Sequence, residues 1–298
     1  MPTLTDAGST VPRRQLGRRL RQLREEAGIT VKAAADALEW STPKLWRIEG
    51  GMVSMRSLDV EAMCRVYSAP AGVTEELMSL AKQTRARGWW HAYADVVPGW
   101  FELYVGLEAA ATRLRTYAPE VVPGLLRTAA YAEEVIRTAQ TDLTDQTVRR
   151  MLAVSAQRQA ALSRQDPPPP QLEVVLSEPV LRRPLHDRAA MAEQIHRVVA
   201  LAERPNVSIR VLPLDAGLHP ATSAGGTFTI LTFTGGPGGP GGEAEPPTVY
   251  HEGLTAASYL DKPADIEAYD TAWDGLGAVA LDETASRAVL RAAAKEYG

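Results

Sequence analysis

The chain predicts two folds in series: an all-α N-terminal domain of five helices that carries a helix-turn-helix, then a C-terminal α+β domain with a small mixed sheet flanked by helices. Three observations carry this. Residues 30–51 read as two short helices joined by a tight turn. Helical spacing of apolar residues continues to about residue 163. Beyond the prolines at 167–170 the period changes to short β-branched runs bounded by Pro and Gly.

In the helix-turn-helix, Thr30 suits the N-cap of a first helix whose Ala34, Ala35 and Leu38 share one face. Residues 39–41 turn the chain, and Ser41 or Thr42 caps the second helix. Pro43 fits its first turn, where a missing N–H costs nothing, and Leu45 and Ile48 point inward at i, i+3. Gly50 and Gly51 end it. Thr42, Pro43, Lys44, Trp46 and Arg47 are left outward on the part of the helix that enters a major groove in such motifs, so they are the candidate base contacts. Arg47 or Lys44 can donate to guanine, where a bidentate pair gives roughly 1–3 kcal/mol of discrimination; Thr42 and Pro43 can meet a thymine methyl. The alternative for Arg47 is a bridge to Glu49 or Asp36, and for Trp46 a cover over a neighbouring helix. Both stay open at this level.

A helix from Arg13 carries Leu16, Leu20, Leu23 and Ala27 on one stripe, with arginines 13, 14, 18, 19, 21 and 24 crowding the rest. Candidate phosphate contacts are Arg13, Arg14 and Arg18, with Lys32, Ser41 and Arg56 near the helix-turn-helix. The alternative is a solvated helix face balanced by Glu25 and Glu26. Residues 1–12 are polar and aperiodic, which predicts a disordered arm.

The overall charge of −4 argues against a DNA partner until the chain is divided: residues 1–90 carry 14 Lys+Arg and 10 Asp+Glu, and residues 91–298 carry 18 and 26. A basic domain beside an acidic one fits DNA at one end and another partner at the other. The single cysteine, Cys64, excludes an intramolecular disulfide and reads as a small core residue. No apolar leader and no run near the roughly 20 apolar residues of a membrane span is present, so a cytoplasmic protein without a membrane partner is expected.

Further along, Ser57 suits a cap for a helix bearing Leu58, Met63, Val66 and Tyr67, and another helix spans 74–85. These complete a DNA-binding domain over 13–88. Residues 89–166 read as a helical linker or dimerisation region: Leu103, Leu107, Ala110, Leu114 and Tyr117 recur at helical spacing, and helices follow at 125–136 and 144–163. Residues 167–298 form the α+β domain, with strands at 172–176, 207–212, 227–233 and 248–251 and helices at 178–183, 187–202, 263–280 and 282–296. The glycine- and proline-rich segment 235–242 reads as a long hairpin loop. It is not a phosphate loop, because no Lys-Ser/Thr and helix follow it.

The sequence contains no nucleophile elbow, Walker loop or strand-linked GxGxxG, and His91, His186, His196, His219 and His251 lack paired metal-ligand spacing. A non-enzyme without metal or cofactor is expected. Glu178, Arg182, His219, Tyr250 and Glu252 fall at strand ends or adjoining loops and are candidates for a ligand or partner pocket, with caps and surface ion pairs as the alternative. A C-terminal enzyme acting on a small nucleotide-type substrate is the minority reading.

Thr30, Ala35, Leu38, Ser41, Arg47, Ile48, Glu49 and Gly51 give the first domain a pattern that resembles the XRE, phage-repressor-like, helix-turn-helix family. Val31 stands where that family has a phosphate-anchoring glutamine, and Glu39 where it has a turn glycine. The blocks at 121–128, 177–183, 211–220, 226–231 and 249–253 resemble the C-terminal domain of actinobacterial XRE regulators described as antitoxin-like. The resemblance implies a transcription regulator, a repressor of its own locus, that binds double-stranded DNA at a pseudo-palindromic operator as a homodimer. The C-terminal domain is then expected to receive a signal, either a small-molecule effector or, as the resemblance implies, a short protein encoded nearby. The competing reading is an antitoxin-like protein whose main task is holding that partner.

Overall fold

The structure, a computed structural model, describes residues 8–224, 226–234, 245–253 and 255–297. The arm expected at 1–12 lies mostly outside this set, as does the glycine-rich loop at 235–242. The chain divides into two compact units, Met1–Ala92 with Thr234–Glu245, and Tyr93–Phe233 with Pro246–Gly298.

The first unit contains α1 (Thr10–Glu26), α2 (Val31–Ala37), α3 (Thr42–Glu49), α4 (Ser57–Val66) and α5 (Ala71–Gln83). Its core gathers Leu16, Leu20 and Leu23 of α1, Ala34 and Ala35 of α2, Leu45 and Ile48 of α3, Val60, Met63 and Cys64 of α4, and Leu77 of α5. The small pair in α2 permits close helix approach. At Gly17 a Cβ would lie 2.6 Å from the Ile48 carbonyl, so α1 can reach the end of α3 only because that position is glycine. Three starts differ from expectation. Helix α1 begins at Thr10, inside the arm expected through residue 12. Arg56 occupies the cap position of α4, and the Ser57 hydroxyl donates instead to the Met78 carbonyl on α5. Helix α5 starts at Ala71 rather than at 74, with the Thr74 hydroxyl turned back onto the Pro70 carbonyl.

The second unit is α+β. In chain order it contains α6 (Gly99–Ala110), β1 (Arg113–Ala118), α7 (Ala129–Ala139), α8 (Asp145–Ala160), β2 (Gln171–Ser177), α9 (Pro179–Arg182), α10 (Arg188–Leu201) and β3 (Val207–Leu212). There follow β4 (Phe228–Thr232), β5 (Thr248–Glu252), β6 (Ala257–Leu260), α11 (Pro263–Val279) and α12 (Glu283–Tyr297). The sheet order is β3-β2-β1-β4-β5-β6. Strands β1, β2 and β3 run parallel, and β4, β5 and β6 are each antiparallel to the preceding neighbour in that order.

Six strands replace the four expected. The helical pattern read through Tyr117 stops at Ala110, because Ala111 is extended and the next residues pair with two other strands. Leu114 then faces the side opposite Tyr117, as period two requires. On one face Tyr117, Phe228, Ile230 and Val249 pack against Ala272 and Leu276 of α11. On the other, the Thr116 and Thr229 hydroxyls meet at 3.0 Å, and the Tyr104 ring of α6 lies 4.1 Å from that of Tyr250. Helix α12 closes the β3 side, where the Ser286 hydroxyl accepts from the Val211 N–H at 2.8 Å.

Candidate nucleic-acid interface

The helix-turn-helix is capped by its own side chains. The Thr30 hydroxyl accepts from the Ala33 N–H at 3.1 Å, and the Ser41 hydroxyl from the Lys44 N–H at 3.3 Å. Glu39 makes the turn between α2 and α3 at φ 55°, a left-handed conformation that favours glycine. Burying Leu45 and Ile48 fixes the rotation of α3, which leaves Pro43, Lys44, Trp46 and Arg47 exposed and Thr42 half-buried. Trp46 is 63% exposed. The Lys44 ammonium lies 3.6 Å from the centroid of the Trp40 ring, an attraction that orders the side chain at the mouth of the turn.

Glu49 turns away from this surface. Its carboxylate takes Arg24 in a two-pronged pair at 2.7 and 2.9 Å, both groups buried, and the third guanidinium nitrogen of Arg24 donates to the Ile29 carbonyl. The Glu49 partner considered for Arg47 is thus engaged elsewhere, and among the described residues Arg47 has no ion pair.

The basic residues of this unit separate into two groups. Lys32 and Arg56 are exposed at the starts of α2 and α4, and Ser41 stands at the cap of α3. The three candidate arginines of α1 are drawn inward. Arg14 is buried and pairs with Glu245 at 2.7 Å, Arg18 shares the same carboxylate, and Arg13 donates to the Thr84 carbonyl. Glu245, 1% exposed, was invisible as a partner in the sequence, since it stands more than two hundred residues from α1.

In the second unit, Glu178, Arg182, His219, Tyr250 and Glu252 all lie at the edge where the parallel strands end, without forming one cluster. Glu178 pairs with Arg182 at 3.0 Å and accepts from the Leu214 N–H, and Arg182 also reaches Glu296. Tyr250 donates to Glu252 at 3.0 Å. His219 stands edge-on to Tyr117, and burial lowers its pKa. Sequence reasoning missed Arg127 and Arg158 on the same side of the sheet as Tyr250. Arg158 is held by both oxygens of buried Glu108 at 2.7 Å, above the rings of Phe101 and Tyr104. Arg127 was legible only as part of the block at 121–128. No group of three His, Cys, Asp or Glu among the described residues could hold a metal ion, and none of the described helices is long and apolar enough to cross a membrane.

A capped helix-turn-helix with an outward-facing second helix, joined to an α+β unit, defines a helix-turn-helix regulator, a class that binds DNA. Residues 15–77 match the model of a helix-turn-helix domain. Residues 101–292 match the model described as a domain of unknown function, DUF5753, and the chain belongs to that family. No curated protein and no solved structure matches the chain.

Proposed function

We propose that the protein is a sequence-specific transcription regulator of the XRE type, acting as a homodimeric repressor at a pseudo-palindromic operator, its own promoter included. The observation that carries this is the row Pro43, Lys44, Trp46 and Arg47, exposed on a helix whose opposite face is locked in the core. Arg47 and Trp46 read bases; Lys32 and Arg56 hold phosphates. Arg14 and Arg18, committed to Glu245, serve the integrity of the domain in this reading rather than the duplex. The second unit acts as a non-enzymatic receiver whose ligand prefers one dimer geometry, since a ligand shifts an equilibrium only by its differential affinity.

The test is binding of the full chain to its own upstream DNA and to a scrambled duplex at two salt concentrations, for wild type and Arg47→Ala. Preference for the natural duplex, diminished by Arg47→Ala, supports the reading; equal weak binding to both removes it. A second reading, an antitoxin-like protein that holds a partner, is favoured by Leu214 and Leu218, 63% and 90% exposed on the loop after β3. Stoichiometric co-purification of a short protein, lost in a Leu214→Ser, Leu218→Ser variant, would support it.

A further inference from the structure

The turn at 122–127 is fixed from three sides. The Val122 N–H donates to the Tyr131 hydroxyl at 3.2 Å. Gln159 of α8 donates to the carbonyls of Gly124 and Arg127 at 2.9 and 3.0 Å, and Gln194 of α10 donates to that of Leu126 at 2.9 Å. Such bracing presents the side chain of Arg127 in one place. Its Nε donates to the Val122 carbonyl at 2.6 Å and the guanidinium stands 6.0 Å from the Tyr131 ring centroid. Among the described residues nothing accepts from Nη1 or Nη2, and no carboxylate pairs with this half-buried cation.

Arg158 adjoins the same turn. Its Nε and Nη2 are taken by Glu108, while a Cβ placed on Gly124 would lie only 3.2 Å from Nη1, so glycine there lets the guanidinium approach. Glu108 therefore neutralises Arg158 and leaves the charge of Arg127 unmatched by any bonded acid. Burial and the charge of Arg158 both depress the Arg127 pKa, and Glu252 works against them from nearby. The Nη edge of this half-buried guanidinium is open to an acceptor from outside the chain, and planar guanidinium edges match carboxylate and phosphate oxygens.

We propose that Arg127, with the free Nη1 of Arg158, forms a binding site for the oxyanion of a small phosphate- or carboxylate-bearing ligand, anchored at the turn 122–127. The ligand's oxygens take the Nη donors of Arg127, and Glu252, with Tyr250 bonded to it, sets the limit on how much negative charge the site admits. The site gives the receiver unit a place to bind its effector. It does not rest on DNA binding, and its test contains no DNA, so either reading can fail alone.

The experiment is amide hydrogen exchange on the full chain in potassium phosphate, potassium acetate or potassium chloride at equal ionic strength. The expected result is saturable slowing of exchange in the peptides covering 122–128 with phosphate or acetate and not with chloride, the stronger of the two assigning the ligand's class. Arg127→Gln is expected to weaken the response about tenfold or more. Arg127→Lys is expected to keep part of it, and Arg47→Ala, on the helix-turn-helix, all of it. Glu252→Gln, on an exposed side chain whose amide oxygen can still accept from Tyr250, is expected to tighten binding severalfold by removing a like charge. The proposal is overturned if neither anion slows exchange in this segment, if Arg127→Gln responds like wild type, or if Glu252→Gln weakens the response.

Discussion

Arg24 of α1 and Glu49 of α3 form a buried, two-pronged ion pair at 2.7 and 2.9 Å that ties the first helix to the end of the third. A buried charge that loses its partner is left uncompensated in low dielectric, at a cost of about 3–5 kcal/mol, whereas replacing both partners by apolar groups of similar volume is far cheaper. Glu49→Ala is therefore expected to lower the stability of the helix-turn-helix unit by about that amount in urea unfolding. Arg24→Met combined with Glu49→Leu should recover most of the loss. Equal losses in the single and double variants would show that shape, not charge pairing, holds these helices.

The second expectation concerns the division of the basic residues. Lys32 and Arg56 are exposed, while Arg14 and Arg18 are occupied by Glu245. Each phosphate contact contributes about one unit to the dependence of log affinity on log salt. Lys32→Ala and Arg56→Ala should each reduce that slope by about one without altering sequence preference. Glu245→Gln should destabilise the domain instead, read as a lower melting temperature, because both guanidinium groups lose their anion.

Much of the helix-turn-helix was legible in the sequence because its signals are local: Thr30 and Ser41 cap as their positions suggest, Pro43 occupies the first turn, and Leu45 and Ile48 face the core. Strand β1 was not. Leu114 and Tyr117 also satisfy a helical spacing, and only pairing with β2 and β4, the former 58 residues away at Arg113↔Gln171, makes the segment extended. Strand β6, Ala257–Leu260, is four residues long, too short for alternation to reveal. The same reason hides the charged partners. Glu245 beside Arg14, Asp270 beside Arg115 and Glu108 beside Arg158 are all contacts the fold makes between distant segments.

Glu39 offers a third test. A residue with a Cβ held at φ 55° bears a cost of roughly 1 kcal/mol that glycine does not, offset in part by the freedom glycine restores to the unfolded chain. Glu39→Gly is expected to be neutral or stabilising by a few tenths to about 1 kcal/mol. Glu39→Val, β-branched and worse suited to this region, should destabilise. If Glu39→Gly is clearly destabilising, the exposed carboxylate contributes more than the backbone costs.

His219 gives the second unit a pH dependence. Burial lowers its pKa from the ordinary 6.5, so the folded form binds fewer protons than the unfolded one at mildly acidic pH. Its contribution is fully present above 6.5 and is lost as the pH falls through that value toward the depressed folded pKa. Thermal unfolding should therefore show a stability decline over this window that His219→Phe reduces, while the profile above neutrality stays unchanged.

Gln194 gives the most demanding test of how the turn at 122–127 is built. Its side chain is fully buried, and it satisfies two backbone groups at once, accepting from the Thr128 N–H at 2.7 Å and donating to the Leu126 carbonyl at 2.9 Å. Leucine has nearly the same volume and neither function, so Gln194→Leu leaves a buried donor and a buried acceptor unpaired, at about 1–3 kcal/mol each. Glutamate keeps the acceptor but not the donor, and adds a charge. Global stability should fall in both variants, and amide exchange at 124–128 should rise ahead of the rest of the unit, because that segment loses its bracing first. If exchange rises uniformly instead, the turn is held by its flanking helices, and the presentation of Arg127 is not the work of Gln194.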